Sequence, residues 1–195
     1  MTPINMDELT SSLLAGDFFQ LNNIFRSIGS DSPNIRLNLS VDDIESVRLK
    51  SLFEYWKRLP RGQRLPLTQA IDAVEIGPAL GIVMLLETTD DPYEFFYRLY
   101  GTEIAAVSGL ELTGKTTAGI PSPEMRAFFQ MTYAAAVQSG APLLCHHRPP
   151  PVFGMTCWAR LILPCEDGAG RIDRLLVGNE PGFPKLLGRT PWPRD

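Results

Sequence analysis

Apolar residues before Pro60 recur mainly at helical spacing, whereas from Gly81 onward they gather in short continuous or alternating runs. Leu9, Leu13, Phe18, Leu21, Phe25 and Ile28 form one stripe. With Asn5 as a cap and Glu8 at the third position, residues 5–28 are expected to be an amphipathic helix, or a helix pair broken at Gly16 and Asp17. Residues 29–34, rich in Gly, Ser, Asp, Pro and Asn, read as a linker. A second helix is expected over 41–59, with Ser40 as its cap and Asp42, Asp43 and Glu45 at the positive end of its dipole. Its stripe is Ile44, Val47, Leu52, Tyr55 and Leu59. Pro60 and Pro66 bound a basic loop, and 66–80 has short helical turns at most.

The period then changes. Residues 82–86 are a continuous apolar run ended by Asp90-Asp91-Pro92, the pattern of a buried strand, and 94–100 follow as an aromatic strand. Residues 104–112 read as short helical material and 114–121 as a loop. A longer helix over 123–139 has Pro123 in its first turn and Gly140 just past its end. Three strands close the pattern, at 143–148, 155–164 and 172–178, with a hairpin signal at Asp167-Gly168-Ala169-Gly170 between the last two. That order is not strand-helix alternation. It predicts an α+β fold, a five-stranded antiparallel sheet with its helices on one face, preceded by amphipathic helices.

At 195 residues, 44% hydrophobic and 21% charged, the chain has the composition of a globular protein with one core. A net charge of −4 offers no broad positive field for nucleic acid. The densest basic stretch, Lys57, Arg58, Arg61 and Arg64, reads as a solvated helix end. No apolar run is long enough to span a membrane, and Asp7 and Glu8 stand where a signal peptide would be basic, so a cytoplasmic location is expected. Cys145, Cys157 and Cys165 are an odd number, too sparse for a disulfide framework and without a Cys-x-x-Cys pair, so reduced thiols are expected.

Several segments carry a family resemblance: residues 52–59, Leu-Phe-Glu-Tyr-Trp-Lys-Arg-Leu, then Ile71-Asp72 and Glu75-Ile76. Residues 96–102, Phe-Tyr-Arg-Leu-Tyr-Gly-Thr, 109–115, Gly-Leu-Glu-Leu-Thr-Gly-Lys, and 171–178, Arg-Ile-Asp-Arg-Leu-Leu-Val-Gly, continue it. In this order the chain resembles the PAS superfamily over about residues 50–180, and within it the compact single-domain proteins of alphaproteobacteria. The resemblance implies a PAS-like domain with its flanking helix at 40–181, a helical extension and linker at 1–39, and an irregular proline-rich tail at 182–195. Such modules are sensory. They bind a small ligand or a partner and signal by protein contact. Here the N-terminal helices are the expected contact, with a second copy or a signalling kinase, and a ligand-free adaptor or dimerisation module is the alternative. Gly101 is expected to turn the strand into the first short helix, and Gly114 to take positive φ.

A PAS-like cavity lies between the sheet and its helices, so alternation sorts the lining. Phe95, Tyr97 and Leu99 share one strand face, and Met155, Cys157, Ala159, Leu161 and Leu163 share another; these apolar sets are expected inward. Arg98, Trp158 and Arg160 would then face away. The candidate pocket lining is Phe95, Tyr97, Leu99, Phe128, Cys145, His147, Met155 and Cys157. Cys145, His146 and His147 lack further ligands nearby, and neighbours on a strand point to opposite faces, so no metal site is expected. No cofactor is evident: haem is disfavoured on the same ground, and the reactive-cysteine motif of flavin-binding relatives is absent. Residues 109–116 satisfy the Gly-x-x-x-x-Gly-Lys-Thr pattern literally but lack the preceding strand and following helix that hold phosphate. No enzymatic activity is expected; a nucleotide-binding enzyme is the remote alternative.

Overall fold

The computed structural model describes residues 4–150 and 157–182. The expected N-terminal helix is a pair, α1 (Met6–Leu14) and α2 (Phe19–Ser27), and Asn5 caps α1 by accepting from the Glu8 amide. The stripe of Leu9, Leu13, Leu21 and Phe25 is buried in the domain's own core. What it covers is α6 (Pro123–Ser139), capped by Ser122 and ended by Gly140 in the left-handed conformation. The ring of Phe25 meets that of Phe128 edge-on, 4.9 Å between centroids. Buried positions run almost all round α6 in its middle turns, from Phe128 to Ala136, the pattern of a helix enclosed on two sides.

The other side of α6 meets a six-stranded antiparallel sheet ordered β1-β4-β5-β6-β2-β3. Its strands are β1 (Asn34–Leu37), β2 (Val83–Thr88), β3 (Phe95–Tyr100), β4 (Leu143–His147), β5 (Cys157–Glu166) and β6 (Ile172–Gly182). The five strands expected from sequence are contiguous in this order. β1 is additional: the segment just after the 29–34 turn pairs with β4, placing Ile35 against Cys145. The β5–β6 hairpin closes at Asp167, whose carboxylate accepts from the Ala169 and Arg171 amides, with Gly170 at φ 85°.

The helix expected over 41–59 is two elements. Ser40 and Asp43 form a capping box on one 3₁₀ turn, Val41–Asp43, and α3 (Val47–Arg58) starts separately with Ser46 capping Leu49. Val47 is therefore an exposed first-turn residue rather than part of the stripe. α3 packs on the sheet face opposite α6, with the methyls of Leu49 and Leu52 filling the space over Gly178. Trp56 donates its indole N–H to the buried Pro164 carbonyl at 2.9 Å. α4 (Ala73–Ile76) and α5 (Thr102–Ser108) complete the helices.

Gly114 has φ 76°, as expected. Gly101 is different: its φ of −56° suits any residue, but a Cβ there would lie 2.4 Å from the Gly81 carbonyl oxygen. Close approach of two backbones, not turn geometry, requires glycine at 101.

Candidate functional site

A cavity of about 340 Å³ lies on the α6 side of the sheet. Its walls come from β3 (Tyr100), the end of α5 and its turn (Val107 to Leu110), α6 (Met125, Phe129), β4 (His147), β5 (Trp158, Arg160) and β6 (Asn179). Ladder register explains the grouping. His147 pairs with Trp158, Cys145 with Arg160 and Arg160 with Asn179, so these side chains leave the same face of the sheet.

The polar groups in this apolar setting decide its chemistry. Arg160 is only 3% exposed. Its Nε donates to Asn179 Oδ1 at 3.1 Å, and its guanidinium carbon stands 3.7 Å from the Phe129 ring centroid and 5.7 Å from that of Tyr133. Nη1 is buried with no hydrogen-bond partner, and no carboxylate pairs with Arg160 among the described residues. His147 is 2% exposed, and its Nδ1 is likewise buried and unpartnered. Its ring lies 5.2 Å from Phe128 and 5.4 Å from Phe129. Burial first, then the positive charge of Arg160 and then His146 hold its pKa well below the usual imidazole value, so at neutral pH it is uncharged. The Tyr97 and Tyr133 hydroxyls, 3.4 Å apart, are pushed up chiefly by burial.

The pocket candidates fall into three sets. His147 lines the cavity, while Phe95, Tyr97, Phe128 and Cys145 lie in the core on the same side of the sheet. Leu99 and Cys157 are on the other face, and Met155 lies outside the described residues. Leu99 departs from simple alternation because β2 pairs Leu86 with Tyr97 and Leu85 with Leu99, leaving Arg98 as a bulge. Tyr100 joins the face of Tyr97, their rings 5.5 Å apart, and Leu99 turns toward the α3 side. On β5 the expected facing is reversed: Trp158 and Arg160 point toward α6, and Cys157, Ala159, Leu161 and Leu163 toward α3. An apolar strand face fits the α3 interface equally well, and the buried cation belongs to the cavity. Tyr100, Phe129, Trp158, Arg160 and Asn179 were absent from the sequence-based set; a lone Arg inside the apolar run 157–163 was the signal for them.

Two of the three thiols, Cys145 and Cys165, are buried and have little nucleophilic character. Burial pushes Cys145 and Cys165 up to about 12, and Cys157 Sγ accepts from the Arg148 guanidinium at 3.2 Å. No group of three His, Cys, Asp or Glu side chains placed to hold a metal occurs among the described residues. Residues 109–116 follow the helix α5 instead of a strand, Lys115 turns back to donate to the Glu111 carbonyl, and Thr116 leads only into a 3₁₀ turn, so the phosphate-loop geometry is not formed. No helix among the described residues is long and apolar enough to cross a membrane.

An antiparallel sheet carrying a helix-covered cavity on one face defines an α+β domain. The chain belongs to the PAS domain family, whose model matches residues 44–177. PAS domains are typically sensory or signalling modules without enzymatic activity. Among solved structures, an RNA-binding light-oxygen-voltage receptor is similar, with a TM-score of 0.43 and 14% identity. The match covers 66% of this chain and 37% of that one, so this chain spans well under two thirds of the receptor's length. No curated protein matches.

Proposed function

We propose that this chain is a sensory PAS module that admits a small organic molecule to the cavity between Tyr100, Phe129, His147 and Arg160 and passes its occupancy on by protein contact. The observation that carries this reading is the cavity itself: about 340 Å³ of space, at the lower end of the range for small-molecule sites, inside an otherwise closely packed core. Its walls are mainly apolar, with a few convergent polar groups, the usual make-up of a ligand pocket. The route outward runs through α6, which lines the cavity on one side and carries α1 and α2 on the other. In this proposal the outward surface of α1 and α2, with Phe19 70% exposed, meets a second copy or a signalling kinase in the cytoplasm.

Native mass spectrometry of freshly purified full-length protein, alongside its visible spectrum, tests the reading. A retained small molecule released on denaturation is the expected result. A bare chain that also fails to bind any member of a small-molecule library by ligand-observed NMR would move the function to a ligand-free adaptor.

A further inference from the structure

We infer that the ligand of this cavity is a small monocarboxylate with an apolar body, its carboxylate held by Arg160 and His147; the inference rests on the ligand-sensing reading above. A guanidinium that is 3% exposed is costly to bury without a counter-ion, and the groups placed around Arg160 are neutral: Asn179 on Nε, the Phe129 face at 3.7 Å and Tyr133 beyond it. Asn179 uses only one edge of the fork. Nη1 is left buried and unpartnered in the cavity wall. His147, on the adjoining strand and against the same Phe129 ring, leaves Nδ1 unpartnered in that wall. Two buried polar atoms left without partners on paired strands, both residues lining one cavity, are unlike an ordinary core, where such atoms find partners.

The missing partner has a definable chemistry. It must accept hydrogen bonds and carry negative charge, since a neutral acceptor would leave the cation uncompensated. One guanidinium and one uncharged imidazole match the single charge of a carboxylate. A phosphate dianion would find no second cation lining the cavity. Val107, Leu110, Ile120, Met125 and Trp158 make the remaining wall apolar, fitting a short aliphatic or aryl body. A bound anion also reverses the balance at His147: it stabilises imidazolium, so the His147 pKa rises on binding.

Isothermal titration of the full chain with butyrate, hexanoate, octanoate, benzoate and phenylacetate, each paired with its neutral amide, decides the matter. Expected are saturable binding of at least one acid, at least tenfold weaker binding of its amide, and an upward shift of the His147 titration by NMR in the complex. Arg160→Met is expected to lose the acid at least tenfold while remaining folded by circular dichroism. Should that variant not fold, the acid-to-amide ratio in the wild-type chain decides alone. Amides binding as well as acids, or hexyl phosphate binding more tightly than hexanoate, overturns the carboxylate and leaves the sensory reading intact. Failure of all acids with a neutral compound retained from purification has the same meaning. Failure of every probe with a bare chain overturns both.

Discussion

Phe25→Ala measures whether the N-terminal helices are part of the core or a detachable arm. The side chain is fully buried, and its ring meets Phe128 at 4.9 Å and 85°. Removing the ring forfeits about 2–3 kcal/mol of apolar transfer and about 1 kcal/mol from the edge-to-face pair. Together with the cavity left behind, a loss of about 4 kcal/mol is expected. With a urea dependence of about 2 kcal/mol per molar, the unfolding midpoint falls by about 2 M. Equilibrium unfolding in urea, followed by the fluorescence of buried Trp56 and Trp158, reads this directly. Phe19→Ala, in the same helix but 70% exposed, is the control and is expected to stay within about 0.5 kcal/mol. Scaled to Leu9, Leu13, Leu21 and Phe25 together, the burial is worth about 10 kcal/mol, comparable to the whole stability of a domain. Deleting residues 4–28 should therefore unfold the protein rather than release an independent PAS core. A Phe25→Ala loss below about 1 kcal/mol would refute the reasoning, because a cavity under α1 and α2 would then cost nothing.

Three further outcomes follow from other parts of the molecule. Gly101→Ala puts a Cβ 2.4 Å from the Gly81 carbonyl oxygen, a backbone atom that cannot swing aside, and is expected to cost about 3 kcal/mol in urea unfolding. His147 is held neutral in the fold, with its pKa below the unfolded value, so the unfolded state binds the extra proton. Its contribution is complete above about pH 6.5 and declines at up to about 1.4 kcal/mol per pH unit below it. His147→Phe should flatten that part of the stability profile between pH 6.5 and 5, and an unchanged slope would count against the buried neutral imidazole. In native-state alkylation followed by mass spectrometry, Cys145 and Cys165 should stay unmodified and only the half-buried Cys157 should label, all three reacting in denaturant.

Local signals in the sequence located most elements but not every facing. Ser122, Pro123 and Gly140 bracket α6 because capping chemistry is local, and the Asp167–Gly170 turn places the β5–β6 hairpin for the same reason. β1 was not legible: Asn-Ile-Arg-Leu at an edge has one covered side and a partner more than a hundred residues away, which no local pattern reports. Ser40 misplaced the start of α3 because its capping box with Asp43 is real but closes on a single turn. The largest difference lies on β5. Alternation assigns the all-apolar set of β5 to the cavity face and so puts Trp158 and Arg160 on the opposite face, toward the helix over 41–59, yet the structure turns Trp158 and Arg160 into the cavity wall. The bulge at Arg98 then exchanged Leu99 for Tyr100, a change of register that depends on the neighbouring strand.

In the proposed ligand-sensing reading, the same departures from pattern supply a route from the cavity to the surface. Phe129 faces the cavity and stacks on Arg160, while Phe128, next along α6, touches both His147 at 5.2 Å and Phe25 at 4.9 Å. His147 therefore contacts the rings of two successive residues of α6, one forming the cavity wall and the other holding α2. On the side away from the cavity these aromatic contacts are close, so a displacement of the imidazole in that direction would press on Phe128 or Phe129. Of the two, Phe129 is restrained by the guanidinium 3.7 Å from its ring centre, and the proposed anion would tighten that restraint by fixing Arg160. In that reading movement would pass to Phe128 and through it to Phe25, on the helix whose outer surface carries Phe19. A buried cation in the core costs stability, but at this position it would, in the proposed reading, link occupancy of the cavity to the packing of α2.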